Sequence, residues 1–324
     1  KALESLDSNI KIALSGTPIE NEVSDLWSLM NIVNPNYLGT KESFKDYYFR
    51  ENLNDESKLN LRHRTSPFIL RRLKKDVLKE LPDKVEKTIY CDLSSEERDV
   101  YNNFLISGKE LISNLNKSIQ GDNTMQVLTL LLRLRQVCCD LRLIKNIKDP
   151  SFSSSKMNVL INLIKNTICG GNKVIVFSQF VKMLKLIKAE LKNESIPSFL
   201  LEGATKSDDR NHMVKNFQDS NNGTKVFLIS LKAGGYGLNL TAADTVIHFD
   251  PWWNPSVENQ ATDRVHRIGQ SKIVNIYKLI TNNTVEEKIL SLQDKKRNLI
   301  NMAIDEEVPD MSGLNNEDLK FVLN

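Results

Sequence analysis

The sequence predicts an α/β protein whose second half folds as a doubly wound, mostly parallel sheet and whose first half is largely helical. Three observations carry that reading. Five short apolar runs, KVIVF at 173, SFLLE at 198, KVFLIS at 225, TVIHFD at 245 and VNIYKLI at 274, are separated by segments of helical pattern, the rhythm of strands joined by crossover helices. Residues 20 to 150 show helical patterns instead. The 324 residues, 40% hydrophobic and 26% charged, suffice for about two domains with packed cores.

Taken in order, IKIALSGTPIEN reads as an apolar strand ending in a Gly-Thr-Pro turn, of the kind buried in a parallel sheet, yet no partner strands follow it. The chain is therefore expected to begin within a domain. VSDLWSLMNIV and KESFKDYYF follow as helices, and residues 81 to 150 read as largely helical. There SSEERDVYNNFL opens on a Ser-x-x-Glu capping box, Ser94 to Glu97, and VLTLLLRLRQVCC forms a strongly apolar helix. SFSSSK, residues 151 to 156, reads as a linker and a hinge. After the five strands, TVEEKILSLQDKKRNLINMAI reads as a helix with an acidic first turn, and the tail ends in a short amphipathic stretch.

Composition excludes several classes. No run approaches the roughly 18 apolar residues of a membrane-spanning helix, and KALESLDSN lacks the core of a secretory signal. A cytoplasmic or nuclear protein is expected. The four cysteines form no CxxC pair and the four histidines are scattered, so neither a metal site nor a disulfide framework is indicated. Net charge is +3, too small to announce a nucleic-acid partner by itself. The basic runs around Arg133 and Arg135, at Arg71 to Lys75 and at Asp294 to Arg297 each read equally as solvated helix faces.

In ligand-binding α/β sheets the working residues lie just after the strands. KVFLIS is followed by LKAGGYGLNLT, where Gly234, Gly235 and Gly237 permit close backbone approach and positive φ, and Lys232 adds a cation; an ordinary glycine-rich turn is the plain alternative. TVIHFD is followed by PWWNP, a rigid turn carrying Trp252 and Trp253. Trp253 is suited to stacking on a base or a neighbouring lobe, with a core role as the alternative. Gln260, Arg264 and Arg267 fall at spacings of four and three, one face of a helix, and the two arginines suit phosphate contact or a salt bridge to Asp263 or Glu258. His266 reads as a structural hydrogen-bond donor.

Read together, LSGTPIEN at 14, TSPFILRRLKKDVLKELPDK at 65, VIVFSQF at 174, LISLKAGGYGLNLTAADTVIHFDPWWNP at 228 and ENQATDRVHRIGQ at 258 resemble the helicase-like ATPases of the Swi/Snf family, with a prokaryotic look. The resemblance spans about residues 10 to 300. It implies a motor of two RecA-like lobes with ATP and magnesium in the cleft and double-stranded DNA across both. Residues 1–20 then end the first lobe, 21–150 form helical insertions, 151–283 the second RecA-like lobe, 284–304 a brace helix and 305–324 a tail. Ser15, Gly16 and Thr17 would couple nucleotide state to DNA grip. Ser178, Gln179, Ser230, Lys232, Ala233 and Trp253 are expected at the DNA, and Gly235, Gly237 and Asn239 at the nucleotide cleft. Gln260, Arg264 and Arg267 form the last motif, its arginines reaching the ATP phosphates. The family often has an Ile-Cys-Asn-His-Pro-like segment where this chain reads VCCDLRLI.

No GxxxxGK[ST] loop and no acidic strand end for magnesium occur in the chain. These 324 residues are thus expected to be inactive alone, with an N-terminal ATP-binding lobe of the same protein as partner and no membrane association. A prokaryotic source places the protein in the cytoplasm with the nucleoid, a eukaryotic one in the nucleus. Two other readings stay open: a non-catalytic DNA- or partner-binding module, and an RNA helicase fragment, which the helical insertion and the PWWNP and HRIGQ segments argue against.

Overall fold

The computed structural model describes residues 8–14, 23–48, 55–70, 72, 74–78, 80–114, 122–144, 154–234 and 237–294. They divide into two compact units, one built mainly on residues before 78 and the other mainly on 78–291. The first unit holds α1 (Val23–Val33), α2 (Lys41–Tyr48), α3 (Asp55–Thr65) and the short α4 (Lys74–Val77). The two helices read from the sequence are present. Leu26, Met30, Leu38, Phe44, Tyr48 and Leu61 form their common core. Trp27 Nε1 donates to the Gly39 carbonyl at 3.1 Å, closing a turn in which Asn36 and Gly39 take positive φ.

Residues 8–14 adopt no strand, and Ile10, Ile12 and Leu14 are 78, 80 and 94% exposed. The buried strand expected there is not formed. An extended segment is stable in a sheet only when neighbours satisfy its backbone groups on both sides, and none of the described strands pairs with it.

The second unit is the α/β body. Its elements are β1 (Lys84–Cys91), α5 (Ser95–Asn114), α6 (Asp122–Cys139), α7 (Ser155–Cys169), β2 (Val174–Ser178), α8 (Val181–Asn193), β3 (Ser198–Leu201), α9 (Ser207–Gln218), β4 (Val226–Ser230), α10 (Leu231–Gly234), β5 (Thr245–His248), α11 (Pro255–Thr262) and β6 (Val274–Thr281). All pairings are parallel, in the order β1-β6-β5-β2-β4-β3. The fold is the predicted α/β class. Successive strand residues feed opposite cores: Val174, Val176, Val226 and Leu228 pack with α7 and α8, whereas Ile175, Phe177, Phe227 and Ile229 pack with Phe217 and Ala261. A sheet covered on both faces explains why its central strands β2, β4 and β5 are buried at every position and largely apolar.

Two features differ from the sequence reading. Residues 84–91, expected within a helical region, form the edge strand β1, paired along its length with β6. Its charged residues suit an edge strand, which is only half covered, and its partner lies some 190 residues away. The SFSSSK stretch is not a linker over the residues described, 154–156. Ser154 is a buried N-cap, its Oγ accepting from Met157 N–H at 3.1 Å and donating to the Cys139 carbonyl at 3.0 Å. Lys156 lies in the first turn of α7 and is fully buried. The Ser94–Glu97 capping box forms as read, with reciprocal bonds of 2.9 and 3.2 Å, and Glu97 also accepts from Ser155 Oγ at 2.9 Å. Residues 285–294 are helical; 295–324, with the rest of the expected brace helix and the tail, lie outside the described residues. Among the described residues no helix is long and apolar enough to cross a membrane.

Candidate functional site

Parallel strands aim their C-terminal ends at one edge of the sheet, so the loops after β2, β4 and β5 start along one rim. Each begins with a residue of tight purpose. Ser178, at the end of β2, is 1% exposed, and its Oγ donates to Asp250 at 2.5 Å and accepts from Phe180 N–H at 3.1 Å. Ser230 ends β4 opposite Ser178 and is buried, as is Ala233 in α10. These three, expected at a DNA strand, face inward. A buried hydroxyl already committed to a carboxylate has no donor left for a phosphate. Gln179 is half-buried, its backbone N–H reaching Asp250 Oδ2 at 3.4 Å. Lys232 is exposed.

The glycine-rich loop divides its work. A Cβ on Gly234 would lie 2.9 Å from the Phe177 ring, so that glycine permits packing of α10 on β2. Gly237 has φ +38° and open space around it. Asn239 is exposed, with its carbonyl accepting from Gln218 Nε2 at 3.1 Å. Gly235 and Ser15 to Thr17 lie outside the described residues.

Gln260 is exposed on α11, but α11 ends at Thr262. Arg264 and Arg267 therefore stand in the turn beyond it, and the single helical face expected for the three is not formed. The turn is held by short bonds: Arg264 N–H to the Ala261 carbonyl at 3.2 Å and Gln270 N–H to the Arg267 carbonyl at 2.9 Å. Arg264 is half-buried, its Nε donating to the Gly234 carbonyl at 3.3 Å. Arg267 is exposed, and its guanidinium has no partner among the described residues. His266 Nε2 meets the Pro82 carbonyl at 2.7 Å, a structural bond as anticipated.

Gln270, missed in the sequence, clamps this turn to the glycine loop: its Nε2 donates to the carbonyls of Thr241, Ala243 and Val265 at 3.1, 2.8 and 3.3 Å. Leu240 N–H adds a bond to the Arg264 carbonyl at 3.0 Å. The loop that bears Gly237 and the turn that bears the arginines are thus one assembly. The signal lies in the HRIGQ segment itself, where Gln270 follows Arg267 by three residues.

The loop after β5 is gripped at four consecutive residues. Lys156 Nζ donates to the Phe249 carbonyl at 3.2 Å. Asp250 takes Ser178, Arg135 Nη2 donates to the Pro251 carbonyl at 2.6 Å, and Trp252 N–H donates to Glu258 Oε1 at 2.7 Å. Trp253 follows, half-buried. Burial pushes the Asp250 carboxyl up, with Arg135 and the Ser178 hydroxyl opposing. Burial likewise lowers the Arg135 pKa against the pull of Asp250. Burial opposes the Lys156 ammonium, yet the Glu286 carboxylate 2.5 Å away, together with Cys139 and Cys138, holds the pKa above the ordinary lysine value. Among the described residues no group of His, Cys, Asp and Glu is placed to hold a metal ion.

Residues 1–143 match the SNF2-related domain, and 155–269 the helicase conserved C-terminal domain. A protein named an ATP-dependent helicase in Mycoplasma genitalium is 42% identical over 98% of this chain and 30% of its own length. A Bacillus subtilis protein named for ATP-dependent helicase/translocase activity is 35% identical over 95% of the chain and 34% of its own length. The chain thus spans about a third of these relatives. The Sulfolobus solfataricus SWI2/SNF2 ATPase core, solved in complex with double-stranded DNA, is 36% identical and superimposes with a TM-score of 0.61, covering 99% of this chain and 68% of that one. With identity, coverage and the RecA-like parallel sheet in agreement, the chain belongs to the Swi/Snf family of helicase-like ATPases.

Proposed function

We propose that this chain is the C-terminal portion of an ATP-dependent double-stranded DNA translocase or remodelling ATPase, and that it completes an ATPase site whose phosphate-binding half it does not contain. The observation that carries the reading is the pairing of an anchored arginine with an extended one. Arg264 is fixed on the Gly234 carbonyl, while Arg267, three residues on in the same turn, is exposed and its guanidinium meets no partner among the described residues. A planar, permanently charged fork on a rigid turn suits phosphate oxygens presented from outside.

The GxxxxGK[ST] loop is absent from the 324 residues, and among the described residues no group of three or more His, Cys, Asp or Glu side chains is clustered for a metal ion. ATP and magnesium are therefore assigned to an N-terminal RecA-like lobe of the same protein, and the chain alone is expected to be inactive. Bound nucleotide would supply the phosphoryl group. Arg267 would neutralise charge developing on it, Arg264 would hold the turn and add a second cation, and Gln260 stands in the last turn of α11 before them. Gly237, with open space at its α-carbon, and Asn239 would form the facing wall with Gly235. Ser15, Gly16 and Thr17 keep the coupling role that the resemblance implies.

The Sulfolobus complex supports duplex DNA as the polymer. Exposed Lys232, half-buried Gln179 and Trp253 are the candidates to touch it. Ser178, Ser230 and Ala233 would act by shaping the backbone beneath them. Binding through lysine and backbone groups is sequence-independent and weakens with salt.

ATP turnover by the native polypeptide, with and without duplex DNA, tests the proposal against Arg267→Ala. The parent is expected to be strongly stimulated, and the variant to bind DNA normally while losing about 10³-fold or more in turnover. Stimulation by single-stranded RNA instead of duplex DNA, or a variant with parental turnover, would sink it.

A further inference from the structure

We propose that Arg135, on helix α6, is a positioning residue that joins the loop after β2 to the loop after β5, so that both present one rigid surface to duplex DNA. The inference rests on the reading above that these loops meet DNA. Nothing in the helix sequence marks this arginine out from Arg133, whose Nη1 bonds Gln136 Oε1 at 2.9 Å on the same helix. Arg135 instead points inward and is 3% exposed.

Its guanidinium touches both loops. From the β5 loop, the Pro251 carbonyl accepts at 2.6 Å, and the Trp252 and Trp253 rings lie 5.4 and 5.2 Å from the cation. From the β2 loop, the Phe180 ring lies at 5.8 Å. Asp250, 3.8 Å from Nη2, completes the join by accepting from Ser178 Oγ and Gln179 N–H. A flat cation among three aromatic faces constrains where those rings can sit, and the face of an indole attracts it most strongly.

Stability does not account for such a group. Burial opposes its charge, its Nε has no hydrogen-bond partner among the described residues, and the Asp250 carboxylate, 3.8 Å from Nη2, offsets the burial only in part. Replacing a buried charge by an apolar side chain of similar size is often neutral or stabilising, provided its counterion is dealt with. What the arginine contributes that a methionine cannot is direction: one fork that reads a backbone carbonyl and one plane that orders two indoles.

The test is the duplex-DNA dependence of ATP turnover in the native polypeptide, for the parent, Arg135→Met, Arg135→Lys, Trp253→Ala and the Arg135→Met/Trp253→Ala pair. Arg135→Met is expected to raise the half-saturating DNA concentration about tenfold, and Trp253→Ala by a similar factor, with the pair no worse than either because both act through one surface. Arg135→Lys keeps the charge but not the plane and is expected to give a shift of about threefold. KM for ATP stays at the parental value. If Arg135→Met does not fold, the lysine variant and its pair with Trp253→Ala carry the same comparison.

A merely structural arginine would lower turnover in proportion to the folded fraction and leave DNA half-saturation unchanged, which would overturn the proposal. Additive effects in the pair would overturn it too. A parent that DNA does not stimulate overturns both this inference and the functional reading. A stimulated parent with an unshifted variant overturns this inference alone.

Discussion

Gly234 and Gly237 stand three residues apart in one motif and serve opposite ends. At Gly234 a methyl group would press to within 2.9 Å of the Phe177 ring, which is itself buried and stacked on His248 at 5.6 Å. Gly234→Ala is therefore expected to cost about 1–3 kcal/mol by overpacking and to lower the midpoint of thermal unfolding. Gly237 meets nothing, and alanine there carries only the strain of a positive φ, about 1 kcal/mol. Equal losses for the two variants would contradict this division. The glycine spacing was visible in the sequence, but not which glycine admits a ring and which leaves space. The same holds for the arginines: their identity and neighbourhood could be read, whereas the end of α11 at Thr262, which puts them on a turn, depends on bonds to Leu240 and Gln270 from outside the helix.

The helices and strands of the second unit are joined by buried charge. Lys156, in the first turn of α7, binds Glu286, in the helix that covers 285–294, and also the Phe249 and Leu279 carbonyls at the ends of β5 and β6. Glu286 in turn accepts from Thr281 N–H at 2.8 Å. Removing one partner of a buried pair strands the other, so Lys156→Met is expected to destabilise by about 3–5 kcal/mol, and adding Glu286→Gln to restore much of the loss. Chemical denaturation of the three variants checks this; a double variant no more stable than Lys156→Met would refute it. The SFSSSK segment looked like a linker because serine and a single lysine ordinarily mark solvated chain. Here Ser154 caps a helix and Lys156 is consumed by long-range partners that local composition cannot reveal. The Ser94–Glu97 box was legible because both partners lie within one turn.

At the scale of the whole molecule, the α/β body carries its own pH response. His248, on β5, is buried with Nε2 3.0 Å from Thr262 Oγ1, near Glu258 and Lys278. Burial holds its pKa below 6.5, the Glu258 carboxylate only partly offsetting it. Between 6.5 and the lower folded value the unfolded chain binds more protons, so stability falls as pH drops through that window and is intact above it. Thermal unfolding of the parent at about pH 7.5 and about pH 5.5 should show a lower midpoint in acid, and His248→Gln should shrink the difference. An undiminished difference would place the response elsewhere.

Five strands, their parallel class, the capping box and the family motifs could all be read directly from the amino-acid order, because each depends on neighbours within a few residues or on a run of one chemical character. The sixth strand, the inward turn of Ser178, Ser230 and Ala233, the Gln270 clamp and the burial of Arg135 depended on folding. β1 pairs with β6, Ser178 with Asp250, Gln270 with Thr241 and Arg135 with Pro251 across tens to nearly two hundred residues. A side chain's fate at such a position is set by which backbone carbonyl or carboxylate arrives beside it, and only the packed sheet brings them together.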